Sequence, residues 1–155
     1  MEGLIKQIQA EYPEFKDHVQ VMQRPTSDEP LYTENDSVII LDDASFLGKK
    51  IISDKFQGPG LLEAYATWCP HCQSKVRCIN VLADLLKDTP QRIYVIDADI
   101  NDITARELNV RVFPSFYHVN QDGTVGKEIE LNSMKDLTKA LCQQNKKLCG
   151  LKYDC

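Results

Sequence analysis

Two cysteines separated by two residues, Cys69 and Cys72, are the residues of this chain best suited to chemistry. At the first turn of a helix, cysteines at this spacing can close a small disulfide. Free backbone N–H groups and the helix dipole place partial positive charge beside the first sulfur, which stabilises the thiolate, the attacking species in disulfide exchange. Pro70 suits a first helical turn, and His71 adds a donor or a cation close by. The segment therefore predicts a redox-active disulfide.

A zinc site is the main alternative for this cysteine pair, because two cysteines at this spacing also form half of a zinc knuckle. Such a site needs a second pair of ligands at a similar spacing. Cys142, Cys149 and Cys155 are too far apart in the sequence to supply one. We therefore expect neither a metal nor a cofactor, and we favour the redox pair over zinc and over a purely structural disulfide.

Two further candidates are a carboxyl and a proline. Glu63 interrupts the apolar run 61–66. A carboxyl buried in a central strand should have a raised pKa and can accept the proton of Cys72 during exchange, whereas at a sheet edge it would simply be solvated. The nearby cysteines favour the buried position. At Phe113-Pro114, a cis bond would turn the chain and present the Phe113 backbone to a visiting peptide.

The elements that must position these residues alternate between strands and helices over residues 37–145. The last two strands are joined across a Gln-Asp-Gly turn, which is typical of a hairpin. This order predicts an α/β fold with a central mixed β-sheet flanked by helices. The predicted strands are 38–41, 61–67, 92–97, 115–119 and 125–131, and the predicted helices are 44–52, 69–87, 102–108 and 133–141.

Residues 1–36 differ from the rest and are predicted to form an N-terminal helical extension and a linker. Apolar residues recur there at spacings of four and three, which indicates an amphipathic helix. We favour a helix that packs on the domain over a dimer or partner surface. Residues 24–35 contain two prolines and many polar residues, as in linkers. The apolar residues of the stripe are Leu4, Ile8, Tyr12, Phe15, Val19 and Met22.

Composition excludes several classes of function. The chain has 155 residues, 43% of them hydrophobic, which suits one compact domain. Its net charge of −5 argues against nucleic-acid binding, which needs a basic face. No apolar run approaches the roughly 20 residues of a membrane span. Residues 1–7 lack the features of a secretory signal, so we expect a cytoplasmic location and reduced thiols for most of the cysteines.

The cysteine pair, the buried acid and the proline together resemble the thioredoxin superfamily over residues 37–145. The segment 63–72 is most similar to a catalytic domain of protein disulfide isomerase. The Cys-Pro-His-Cys tetrad within it is similar to that of bacterial periplasmic disulfide oxidases. The segment 109–115 resembles the cis-proline loop of the family. The resemblance implies a thioredoxin-like fold for residues 37–145, followed by a cysteine-containing tail at residues 146–155.

The resemblance also implies a role for each site residue. Cys69 would be the exposed nucleophile and Cys72 the buried resolving thiol. His71, next to Pro70, would tune the redox potential, and Glu63 would accept a proton. The substrate would be bound beside the disulfide by Trp68, Phe113 and Pro114.

Four positions depart from the pattern of the family. The strand lysine that usually accompanies the buried acid is Val95, and the helix-kinking proline is Arg77. The glycine before the cis-proline loop is Val112, which narrows the predicted substrate groove. Cys78 is an additional cysteine on the active-site helix, and we favour a packed small apolar residue over a third redox thiol there. For the cysteines of the tail we favour idle thiols or an intermolecular bridge over a redox relay.

The sequence therefore indicates an enzyme that forms, reduces or isomerises disulfides in protein or peptide substrates. Pro70 and His71 favour an oxidising protein, whereas a cytoplasmic location favours net reduction. A cytosolic oxidation system, such as that of virus assembly, would reconcile the two. The alternative is a thioredoxin-like binding module that docks partners through residues 1–36 or the tail with little turnover. A homodimer through the N-terminal helix or the tail cysteines is a further hypothesis.

Overall fold

A computed structural model describes residues 29–130 together with residues 136, 139, 140, 142 and 143. The predicted amphipathic helix within residues 1–22 and the tail 146–155 lie outside the described residues, so the homodimer and docking hypotheses built on them stay predictions. The strands are β1 (Ile39–Leu41), β2 (Phe46–Leu47), β3 (Lys50–Ile51), β4 (Gly60–Tyr65), β5 (Arg92–Asp97), β6 (Ser115–Val119) and β7 (Val125–Ile129). The helices are α1 (Pro70–Leu85) and α2 (Asp102–Glu107).

Five of these strands form one mixed sheet, in the order β1-β5-β4-β6-β7. β1, β5 and β4 are parallel, whereas β6 pairs antiparallel with β4 and β7 pairs antiparallel with β6. β4 lies at the centre, and all of its residues are buried. It begins at Gly60, where a Cβ would lie 1.8 Å from the carbonyl oxygen of Arg92. The predicted central mixed sheet is confirmed.

The two faces of β4 belong to different layers of the fold, because side chains alternate along a strand. Leu61 and Tyr65 pack in the core on the side of α1, together with Leu82 of that helix. Leu62 and Ala64 pack in the core on the opposite side, where Ala105 of α2 also packs. Glu63 has the same parity as Leu61 and Tyr65, so its carboxyl points into the layer between the sheet and α1.

The predicted helix 44–52 is wrong. A short 3₁₀ turn, Asp43–Ser45, is followed by the two-stranded antiparallel hairpin of β2 and β3. Gly48 has a φ of +59° between these strands, a conformation that glycine adopts without strain and that ends any helical path. The turn is anchored to α2 because the backbone N–H of Thr104 donates to the carboxylate of Asp43 at 2.8 Å.

The polar segment before β1, predicted to be a linker, contributes to the core. Tyr32 is only 1% exposed and belongs to the hydrophobic cluster between the sheet and α1, and Leu31 packs against the same cluster. Their burial is not evident from the sequence, because the neighbouring residues are polar. At the other end, the described residues within and just after the predicted helix 133–141 are helical.

Candidate active site

The start of α1 is built around Cys69, which caps the helix, with Pro70 in the first helical position. Proline has no N–H to lose there, and its fixed φ suits a first turn. The backbone N–H of Cys72 donates to Sγ of Cys69 at 3.3 Å. One of the free N–H groups at the helix end is therefore aimed at the sulfur.

The loop before β6 approaches the same sulfur from the other side. The Phe113–Pro114 peptide bond is cis, and the thiol of Cys69 donates to the carbonyl oxygen of Phe113 at 3.5 Å. The rings of Trp68 and Phe113 meet edge to face, with centroids 5.8 Å apart. The structure thus brings together the residues that the sequence assigned to substrate binding, and their role in binding stays a prediction.

The two sulfurs differ in their access to solvent less than the resemblance implied. Cys69 is 6% exposed and Cys72 is 0% exposed, and both are free thiols. The description of Cys69 as exposed is therefore wrong for the residue as a whole, because Cys69 belongs to the core cluster against which Trp68 and Phe113 pack. The order of access is as predicted, with Cys69 the more accessible of the pair.

Cys72 sits in surroundings that disfavour its thiolate. Burial is the main cause of a strongly raised pKa for this thiol, and a hydrogen bond with Cys69 raises it further. A backbone hydrogen bond from Ala66 acts in the opposite direction, while negative charge on Cys69 and Glu63 adds to the rise. Cys72 therefore needs a base before it can attack a disulfide.

Glu63, the predicted proton acceptor, is buried in the central strand rather than solvated at a sheet edge. It is 0% exposed, and burial raises its pKa to about 7. A hydrogen bond from Tyr32 and the positive charge of Lys75 act against that rise. The second carboxyl oxygen, Oε2, has no hydrogen-bond partner among the described residues. A carboxyl with one free oxygen and a pKa near neutrality can accept and release a proton.

Two residues of this cluster, Tyr32 and Lys75, were missed in the sequence. Tyr32 lies in a segment of polar composition, and no local pattern marks it. Lys75 was detectable, because it falls on the buried stripe of α1 at the spacing of Cys72 and Ile79. A lysine on the inward stripe of a helix is unusual unless it serves a buried anion. The cation that the resemblance places on β5, where Val95 stands, thus comes from α1.

His71 and Pro70 lie on the exposed side of the first turn of α1. Neither side chain is drawn into the buried cluster around Cys72. The predicted influence of His71 on the redox potential stays a prediction.

Cys78 and Cys142 are both disulfide-bonded. The expectation that most of the cysteines are reduced thiols thus does not extend to these two. Cys78 is partly buried and packs against the core between the sheet and α1. It is therefore neither a third free redox thiol nor simply a packed apolar residue. Cys149 and Cys155 lie outside the described residues, and their role stays a prediction.

Metal ligation and membrane crossing find no support in the described part of the chain. Among these residues, no three His, Cys, Asp or Glu side chains come together as metal ligands. No helix within the same residues is long and apolar enough to cross a membrane.

Comparison with known proteins places this site in a family. The thioredoxin family model matches residues 37–143. Protein disulfide-isomerase A4 of Homo sapiens is 34% identical over 84 residues, which are 53% of this chain and 12% of that protein. Protein disulfide-isomerase like 2-2 of Arabidopsis thaliana is 33% identical over 85 residues, 55% of this chain and 18% of that protein. The alignments thus span less than a fifth of these relatives.

Solved structures share the fold at low sequence identity. The Trx4 domain of ERdj5 superposes with a TM-score of 0.53 at 22% identity, covering 72% of this chain and 96% of that domain. A chain in the complex of ferredoxin:thioredoxin reductase with thioredoxin f2 gives a TM-score of 0.53 at 22% identity, covering 69% of this chain and 94% of that one. At this identity, the similarity shows the fold alone.

Proposed function

The chain belongs to the thioredoxin family, and from this premise we propose that it catalyses thiol–disulfide exchange in protein or peptide substrates through Cys69 and Cys72. The observation that carries the proposal is the placement of Cys69. Its sulfur accepts the N–H of Cys72 at the start of α1 and lies 3.5 Å from the carbonyl oxygen of Phe113. The names of the protein disulfide-isomerase relatives support the same activity.

The reducing direction begins at Cys69. Its thiolate attacks one sulfur of a substrate disulfide, forms a mixed disulfide and releases the other substrate sulfur as a thiolate. A substrate strand lying against the backbone of Phe113 would hold its sulfur in line with Cys69. Trp68 and Phe113 offer apolar surface beside that backbone.

Cys72 completes the reaction. Glu63 takes the proton of its thiol, and the new thiolate attacks the Cys69 sulfur of the mixed disulfide. The Cys69–Cys72 disulfide forms and the second substrate thiolate leaves, so two electrons pass from the dithiol to the substrate. The same steps in reverse oxidise a substrate dithiol, and repeated attack by Cys69 isomerises a substrate with several disulfides.

The direction of electron flow depends on the compartment. In a cytoplasmic setting, net reduction of substrate disulfides would follow. The disulfide bonds of Cys78 and Cys142 favour a more oxidising setting instead, because structural disulfides persist where thiols are not kept reduced. Potentials in this chemistry range from about −270 mV for thioredoxin to about −120 mV for the strongest oxidants. Titration in glutathione buffers would place the Cys69–Cys72 pair on that scale.

Insulin reduction and oxidative refolding of a reduced protein test the activity. Wild type is compared with Cys69→Ser and Cys72→Ser in both assays. We expect wild type to be faster in at least one assay and Cys69→Ser to be inactive in both. If wild type is no faster than either variant in both assays, the chain is not an exchange enzyme.

A further inference from the structure

We propose that Tyr32, from the segment before β1, is a positioning residue for proton transfer between Glu63 and Cys72. Its hydroxyl holds one carboxyl oxygen of Glu63 and leaves the other for the thiol. The inference rests on the proposed exchange activity and adds to it a residue outside the sheet and helices of the fold.

The contact is short and enclosed. The hydroxyl of Tyr32 donates to Oε1 of Glu63 at 2.6 Å, and both residues are almost fully buried. The ring of Tyr32 meets the ring of Tyr65 edge to face, with centroids 5.4 Å apart. This packing holds the Tyr32 ring in place, and the position of the ring places its hydroxyl beside Glu63. A buried hydrogen bond to a carboxyl is among the stronger ones in proteins.

The hydrogen bond leaves Glu63 with unequal oxygens. Oε1 is held by Tyr32, whereas Oε2 has no hydrogen-bond partner among the described residues. The bond to Tyr32 occupies Oε1 and favours this orientation of the carboxyl. The oxygen available to the proton of Cys72 is therefore Oε2.

Tyr32 acts as a donor and not as a second base. Its pKa is strongly raised, first by burial and then by the charge of Glu63, so its hydroxyl keeps its proton. The bond stabilises the ionised form of Glu63 and so lowers the pKa of that carboxyl relative to burial alone. Tyr32 thereby makes Glu63 available as a base at a lower pH.

Four titratable residues lie around Glu63 among the described residues. Tyr32 approaches from the segment before β1, and Tyr65 lies on β4 itself. Cys72 and Lys75 face the carboxyl from α1. The strands on either side contribute no charge, because the register partners of Glu63 are Val95 on β5 and Phe116 on β6. Of these groups, Tyr32 alone donates a hydrogen bond to Glu63.

In the resolution step, one proton moves from Cys72 to Glu63 and one disulfide bond replaces another. Oε2 of Glu63 accepts the proton of Cys72, and the Cys72 thiolate attacks the Cys69 sulfur of the mixed disulfide. The Cys69–Cys72 bond forms as the bond from Cys69 to the substrate sulfur breaks. The oxidant is the substrate disulfide, and Tyr32 neither gains nor loses a proton.

The test follows the decay of the mixed disulfide. The reduced full chain reacts with glutathione disulfide in a single turnover, and acid-quenched samples are analysed by mass spectrometry across a pH series. Tyr32→Phe keeps the ring and removes only the hydroxyl. We expect the midpoint of the resolution rate to move upward by about one pH unit, with the plateau at high pH retained.

A matched control separates this effect from the loss of any buried tyrosine hydroxyl. The hydroxyl of Tyr94 donates to the carbonyl oxygen of Gly58 at 2.7 Å, in the core on the other face of the sheet. Tyr94→Phe should leave the pH profile of resolution unchanged. Tyr32→Phe placed in a Glu63→Gln background should also produce no shift, because the group that titrates is gone.

The outcomes distinguish the two proposals. If wild type forms no mixed disulfide, or if Cys72 does not resolve it at any pH, the exchange activity itself is refuted. If wild type resolves it and the Tyr32→Phe profile overlaps that of wild type, the role of Tyr32 is refuted. A shift that persists in the Glu63→Gln background, or that Tyr94→Phe also produces, refutes it as well.

Discussion

Glu63 on β4 lies directly opposite Val95 on β5 in the parallel pair at the centre of the sheet. The resemblance to the family places a lysine at that strand position, and the valine leaves the carboxyl without it. Lys75 supplies positive charge from α1 instead, and Tyr32 supplies a hydrogen bond from the segment before β1. The residues that interact with the carboxyl of Glu63 thus lie on the helix side of the sheet.

Burial of Glu63 should make the stability of the fold depend on pH. The pKa of Glu63 rises from 4.5 to about 7 on folding, so the folded chain holds a proton that the unfolded chain has released. This contribution is complete below the unfolded value and is lost as pH rises through the folded value. Between about pH 5 and about pH 8, wild type should lose about 2–3 kcal/mol of unfolding free energy relative to Glu63→Gln.

Urea denaturation of both proteins across that range provides the measurement. The difference between them isolates Glu63 from other titrating groups, which the two chains share. Parallel curves of unfolding free energy against pH would show that the carboxyl is not held protonated by burial.

Lys75 should tune the proton acceptor through its charge. Lys75→Met keeps the length of the side chain and removes the charge that lowers the pKa of Glu63. The midpoint of Cys72-dependent resolution should therefore rise by about half to one pH unit. Lys87→Met serves as the control, because Lys87 is exposed at the end of the same helical region and pairs with Asp84. Equal pH profiles of resolution for the two variants would show that Lys75 does not lower the pKa of Glu63.

Val112 should restrict the approach of protein substrates. Its side chain is 61% exposed and stands immediately before Phe113, whose carbonyl oxygen contacts Cys69. Val112→Gly should raise kcat/KM a few-fold for insulin and leave the reaction with glutathione disulfide unchanged, because the small substrate needs less of the groove. Leu47→Ala controls for the loss of an exposed apolar side chain. A fall in kcat/KM for insulin would mean that the valine binds substrate rather than obstructing it.

Cys78 and Cys142 should behave as structural cysteines. After mild reduction, iodoacetamide should alkylate Cys69 in the native protein, whereas Cys78 and Cys142 should react only after full reduction in denaturant. Peptide mapping by mass spectrometry gives the assignment. Cys78→Ser should lower the free energy of unfolding by about 2–4 kcal/mol, the usual effect of removing a disulfide. Alkylation of Cys78 in the native, mildly reduced protein would contradict this assignment.

The central strands could be predicted from the sequence because they carry continuous apolar runs. β5 was predicted with its observed bounds, 92–97, and β6 with its bounds 115–119. The active-site helix also followed from the sequence, since Pro70 marks its start. The helix predicted for residues 44–52 was wrong because their composition suits a helix, whereas Gly48, in a left-handed conformation, turns the chain into a hairpin.

The cysteines, the acid and the proline of the site were recoverable because each is unusual in its local context. A carboxyl within an apolar strand and two cysteines before a helix stand out without any tertiary information. Tyr32 did not stand out, because its burial depends on a contact with Glu63 across 31 positions of sequence. The disulfide bond of Cys78 likewise could not be predicted, because no local sequence pattern indicates it.

In the proposed mechanism Cys69 attacks the substrate and Cys72 resolves the mixed disulfide, and trapping that intermediate distinguishes the two thiols. The reduced Cys72→Ser and Cys69→Ser variants are each mixed with a peptide disulfide, acid-quenched and mapped by mass spectrometry. We expect a stable peptide adduct on Cys69 in Cys72→Ser and no comparable adduct in Cys69→Ser. An adduct that forms on Cys72 at a similar rate in Cys69→Ser, or no adduct on Cys69 in Cys72→Ser, would contradict it.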